Sequence, residues 1–64
     1  SEEIRKLQED LKYMQGFLAS VEKKLNNPRF LENASAQVIE NERKKQADAQ
    51  NKIVVLQERL KQLQ

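Results

Sequence analysis

Apolar side chains recur early in this chain at Ile4, Leu7, Leu11, Met14, Leu18, Val21 and Leu25, in an unbroken alternation of three-residue and four-residue steps. That spacing is the a/d heptad, which lays a narrow apolar stripe along one side of a helix and calls for a second helix to cover it. The pattern returns at Ile39, Glu42, Gln46, Ala49, Ile53, Leu56, Leu60 and Leu63. Its last five positions are apolar, whereas Glu42 and Gln46 interrupt it, so the predicted seam weakens toward the middle of the chain.

Between the two stripes lies the segment from Asn26 to Ser35. Pro28 disfavours a helical conformation at Asn27 and ends the first helix. Two helices joined by so short a connector run antiparallel, and a positions of one then face d positions of the other. The pairs are Ile4 with Leu63, Leu7 with Leu60, Leu11 with Leu56, Met14 with Ile53, Leu18 with Ala49, Val21 with Gln46 and Leu25 with Glu42. The residue numbers of every pair add to the same total, so a single register satisfies all seven layers. The expected fold class is all-α: an antiparallel two-helix coiled-coil hairpin with a short ordered connector, forming one unit over residues 1–64. Helix one is expected over about 2–26, the connector over 27–35 with a short helical turn at 28–32, and helix two over about 36–63.

Local signals agree with this layout. Ser1 precedes Glu2 and Glu3, acidic residues that favour a first turn, and Ser35 suits the N-cap of the second long helix. Asn27-Pro28 reads as an N-cap followed by a first-turn proline. Phe30, Leu31, Ala34 and Val38 supply apolar groups to plug the hairpin end. On the exposed faces, Glu2 with Lys6, Glu40 with Lys44 and Asp48 with Lys52 fall at i,i+4, worth a few tenths of a kcal/mol each.

Composition narrows the function. Charged residues make up 34% of the chain and aromatics 5%, with one Gly and one Pro, the profile of long surface helices. A chain of 64 residues can bury a seam but not the layered core around a catalytic pocket. At roughly 1.5 kcal/mol of conformational entropy per ordered residue, the net stability of so small a scaffold is expected near zero. The chain therefore reads as a piece of something larger, and self-association of the isolated arm through its exposed seam stays open. With no Cys and no His, thiolate or imidazole metal sites and most nucleophile–base pairs are excluded. No cofactor site is expected in this chain. The longest apolar run, Ile53-Val54-Val55-Leu56, is far short of the roughly 20 residues that span a bilayer. Ser1-Glu2-Glu3 does not resemble a secretory leader. A cytoplasmic location without a membrane partner is expected.

The formal charge of +2 is unevenly placed. Lys23, Lys24, Arg29, Arg43, Lys44 and Lys45 outnumber the acidic residues over 21–46, whereas the rest of the chain is balanced. Lys23, Lys24, Arg29, Arg43 and Lys44 gather near the hairpin tip, a cluster suited to phosphate contacts. Two readings remain at this point. The lysines can serve nucleic-acid contact, or simply complement a helix dipole and pair with neighbours such as Glu40. Phe30 likewise can stack on an unpaired base or close the hairpin end. Tyr13 and Phe17, one turn apart beside the seam, suit packing or docking against a larger parent. Gly16 faces outward in mid-helix.

Several runs resemble a known family: Gly16-Phe17-Leu18, Val21-Glu22-Lys23-Lys24-Leu25-Asn26-Asn27-Pro28-Arg29-Phe30, Asn33-Ala34, Val38-Ile39, Glu42-Arg43 and Lys45. In order and spacing they are similar to the C-terminal arm of valyl-tRNA synthetases, over nearly the whole chain. The resemblance implies an antiparallel coiled coil that leans on the outer corner of tRNA(Val), where the D and T loops meet. It implies as partners that tRNA and the remainder of the synthetase, which would use ATP and magnesium for ligation while this segment only binds. Lys23, Lys24, Arg29, Arg43 and Lys44 occupy the basic positions around the arm's tip and are the candidates for tRNA backbone contact. Ser35 stands where many members carry proline, and Gln46 where leucine is usual, which bears on the rigidity of the tip. Two other classes compete: the C-terminal coiled-coil hairpin of a ribosome-associated ATPase, and a purely structural dimerising hairpin.

Overall fold

The computed structural model describes all 64 residues, Ser1–Gln64. Three helices follow one another: α1 over Glu2–Leu25, α2 over Pro28–Asn33 and α3 over Ala36–Leu63. There are no strands. The two long helices pack side by side into a rod 46 × 14 × 13 Å. The 28 residues of α3, at about 1.5 Å each, account for nearly all of that length.

Each helix begins where a side chain satisfies its orphan amides. Ser1 Oγ accepts from the Ile4 amide at 3.3 Å, and Ser35 Oγ accepts from the Val38 amide at 3.3 Å. Asn27 Oδ1 accepts from the Arg29 amide at 3.0 Å, with Pro28 in the first helical turn where its missing N–H costs nothing. The turn itself is continuously bonded. Asn26 and Asn27 donate their amides to the Glu22 and Lys24 carbonyls, Leu31 to Asn27, Ala34 to Phe30 and Ile39 to Ser35. The connector is therefore ordered from α1 to α3, with only Asn26, Asn27, Ala34 and Ser35 outside helices.

The heptad seam is the core. Leu7, Val21, Ala49 and Leu60 are buried, and every other a/d position is half-buried or buried except Leu63 at the open end. Off the seam only Phe17, Glu22, Phe30 and Ala34 escape full exposure. Ala49, opposite Leu18, is 0% exposed, so the smallest seam side chain marks the tightest layer. Both side-chain polar contacts that cross between the long helices fit the antiparallel register. Gln46, expected opposite Val21, reaches Glu22, and Glu42, expected opposite Leu25, is reached by Lys24.

Two expectations need correction. Of the four residues expected to plug the hairpin end, Phe30 and Ala34 are half-buried, but Leu31 and Val38 stay exposed. The short α2 turns only one face to the long helices, and Val38, in the first turn of α3, lies one position off the seam residue Ile39. The i,i+4 pairs Glu2–Lys6, Glu40–Lys44 and Asp48–Lys52 do not form ion pairs. On the open surface Glu2 instead takes Arg5 at 2.7 Å, whose longer, forked side chain reaches it at i,i+3.

Gly16 offers a clean test of the exposed face of α1. A Cβ built there meets nothing within 4 Å, so alanine adds no clash and removes the entropy that glycine loses on folding. Gly16→Ala should stabilise the hairpin by about 0.5–1 kcal/mol, raising the thermal midpoint followed by helical circular dichroism by several degrees. An unchanged or lower midpoint would show that Gly16 does more than occupy open helix surface.

Candidate nucleic-acid interface

The hairpin tip is assembled from three pieces of chain. The last turn of α1 brings Lys23 and Lys24, α2 brings Arg29 just behind its Asn27 cap, and the third turn of α3 brings Arg43, Lys44 and Lys45. All six cations are exposed. Because α1 ends and α3 begins at this same place, helix dipoles contribute opposite partial charges here, and the lysines of α1 sit where cations are favoured.

Inside the tip the seam turns polar. Glu42 occupies a core position and its side chain is only 8% exposed. Its Oε1 is approached from α1 by Lys24 Nζ at 3.5 Å and from its own helix by Lys45 Nζ at 3.6 Å. Its Oε2 is buried and has no hydrogen-bond partner. One layer away, Gln46 Nε2 donates to Glu22 Oε2 at 3.4 Å. A buried carboxylate flanked by two ammoniums that are themselves about half exposed is thus the electrostatic centre of the tip.

The five cations singled out from the sequence do not converge on one spot. Lys24 is drawn to Glu42. Arg43 lines a shallow depression on α3 with Ala36, Ile39 and Glu40. Lys23, Arg29 and Lys44 are exposed and form no ion pair, so the pairing of Lys44 with Glu40 weighed from the sequence is not realised. Lys45 joins Lys24 instead. Heptad position holds the signal for this: Lys24 and Lys45 both directly precede a seam residue, Leu25 and Gln46 respectively, and in an antiparallel pair such positions share one flank. That same flank carries an apolar groove. Tyr13, Phe17, Lys45, Asp48 and Lys52 border it over Met14 and Ala49, and toward the base it continues past Val55 and Leu56. Tyr13 is 71% exposed, an unusual setting for an aromatic ring on a small helical rod.

Two long helices packed side by side as a rod, with exposed cations near the hairpin end and lysines and aromatics along one flank, define a class: a helical hairpin arm. Comparison with known proteins narrows this. The family model described as the valyl tRNA synthetase tRNA binding arm matches residues 1–64, and the chain belongs to that family. It is 61% identical over 57 residues to the valine–tRNA ligase of Parabacteroides distasonis, covering 89% of this chain and 6% of that protein. It is 60% identical over 57 residues to the enzyme of Phocaeicola vulgatus, with the same coverage. Against that of Porphyromonas gingivalis it is 51% identical over 63 residues, 98% of this chain and 7% of the relative. The chain thus spans well under a tenth of the length of the relatives it matches. No solved structure matches it significantly. No helix is long and apolar enough to cross a membrane.

The polar layer makes a stability prediction. Gln46 lies half-buried in a core position opposite Val21, so Gln46→Leu exchanges a 3.4 Å hydrogen bond for apolar burial, while Glu22 can return to water. The substitution should stabilise the hairpin by roughly 1 kcal/mol, seen as a higher midpoint in urea at unchanged slope. A loss of stability would mean that the Gln46–Glu22 bond outweighs seam burial.

Proposed function

We propose that this chain is the tRNA-binding arm of a valyl-tRNA synthetase and that it leans on the outer corner of tRNA(Val), where the D and T loops meet. The observation that carries the reading is the match of the arm family over residues 1–64, joined by the concentration of cations at one end of a rod. Lys23, Lys24, Arg29, Arg43 and Lys44 are the proposed backbone contacts. Their spread over several faces of the tip suits contacts to phosphates that position the arm on the RNA without reading its sequence.

On this reading the arm adds affinity without chemistry. Adenylation and transfer, with ATP and magnesium, belong to the remainder of the synthetase, and the cytoplasm is where its substrate resides. An arm tethered to that larger body binds at high effective concentration, so weak contacts suffice to slow release of the tRNA. Few buried groups are needed for that role, and a two-helix rod supplies few.

The test is a titration of the 64-residue chain with a valine-accepting tRNA transcript at several salt concentrations. Three to five phosphate contacts predict a log–log salt slope of roughly −2 to −4. Replacing Lys23, Lys24, Arg29, Arg43 and Lys44 together by alanine should abolish most of the affinity at unchanged helicity. Binding that ignores salt, or survives the five substitutions, would overturn the reading. A stable dimer in sedimentation with these cations protected from modification would favour a structural hairpin instead.

A further inference from the structure

Glu42 is the one charged residue buried in the seam. Its neighbours in the pattern show what a purely structural choice would be: a leucine there would close the layer opposite Leu25. A buried ion pair is in general no more stabilising than an apolar replacement, and here one carboxylate oxygen is left without a hydrogen-bond partner, a defect that costs stability. The carboxylate does achieve one arrangement that apolar packing cannot. It draws an ammonium from α1 and another from α3 to the same oxygen, Lys24 at 3.5 Å and Lys45 at 3.6 Å. The two nitrogens are therefore held at most about 7 Å apart, a separation at which like charges otherwise repel.

We propose that Glu42 is a positioning residue that yokes Lys24 and Lys45 into a two-ammonium claw for one stretch of RNA phosphodiester backbone, on the flank beside Phe17 and Tyr13. The inference rests on the RNA-binding reading above and adds Lys45 and Glu42 to it. Each ammonium has three donors. At 3.5 and 3.6 Å the ammoniums are held near Glu42 by charge, and with both side chains about half exposed their donors can reach phosphate oxygens. Because the yoke sits in the seam, its position is fixed by the packing of both long helices rather than by two flexible side chains. The order this imposes before binding lowers the entropy lost on contact.

Charge alone makes the opposite prediction, which is what renders the claw testable. Removing Glu42 raises the net charge of the chain by one, and a binding mode governed by total charge would then tighten. The claw requires that Glu42→Leu and Glu42→Gln both bind a valine-accepting tRNA transcript more weakly than the parent chain, by about threefold to tenfold. It also requires the salt slope to become shallower by about one to two phosphate contacts. Glu42→Leu should at the same time melt higher, which separates the effect from unfolding; Glu42→Gln, similar in shape, covers the case in which leucine disturbs the tip. Lys24→Ala with Lys45→Ala should lose affinity, and adding Glu42→Leu to that double variant should cost nothing more. Equal or tighter binding by the Glu42 variants, or an unchanged salt slope, would overturn the claw while leaving the RNA-binding reading intact. Failure of the parent chain to bind the transcript at all would overturn that reading itself, and the claw with it.

Discussion

The antiparallel register of two heptad stripes is the constraint on which the rest of this molecule depends. A two-helix rod has one contact line and no second layer, so each seam residue either faces its opposite number or water. Slipping α3 by one residue would rotate its apolar stripe off the line and expose Ile53, Leu56 and Leu60 together. The capped connector makes the slip still harder. With Asn27 and Ser35 bonded to fixed amides and α2 bonded at both ends, the start of α3 is placed relative to the end of α1 by a short, ordered path. Register, connector and caps therefore enforce one another.

Given that constraint, the difference between the two ends follows from what each layer contains. Toward the base, Ile4, Leu7, Leu11 and Met14 meet Leu63, Leu60, Leu56 and Ile53, and the hairpin is held by burial alone. Toward the tip, Gln46 and Glu42 replace apolar partners for Val21 and Leu25, and the seam is held by one hydrogen bond and one ion pair, while a second ion pair within α3 shares the same carboxylate, one oxygen of which remains unsatisfied. Such a layer gives up stability relative to leucine but tolerates only one alignment, because Glu42 is matched with a cation from α1 only in this register. Stability is concentrated at one end and polar specificity at the other.

How much of this could be read from the sequence depends on the length scale of each interaction. The seam, the hairpin and the caps were legible because each is periodic or local: heptad spacing, Asn-Pro, and a serine ahead of a helix. The cation partners were not. The i,i+4 rule selects Glu40 for Lys44, yet the acidic group at the tip that takes ion pairs is Glu42, from Lys24 and Lys45, in a buried position that the packing of the two helices creates. A polar residue at a core position reads in a sequence as a gap in the stripe; in three dimensions it is where side chains from both helices are gathered. Leu31 and Val38 fail as plugs for a related reason. Their apolar character is legible, but the face they occupy depends on the phase of α2 and of the first turn of α3, which is set by tertiary contact.

These features bear on why a rod this thin can serve as a recognition element at all. Long exposed lysines carry roughly 2 kcal/mol of rotamer entropy each, so a cationic surface that merely displays them binds weakly and without direction. A buried carboxylate shared by two lysines removes part of that freedom in advance and ties the direction of both ammoniums to the helix axes. The aromatic groove along the same flank is fixed in the same way, since Phe17 is half-buried against the seam while Tyr13 stands clear of it. A surface of this kind gains little affinity by itself. Its value lies in geometry: on the proposed reading the placement of both ammoniums is inherited from the register of the two helices.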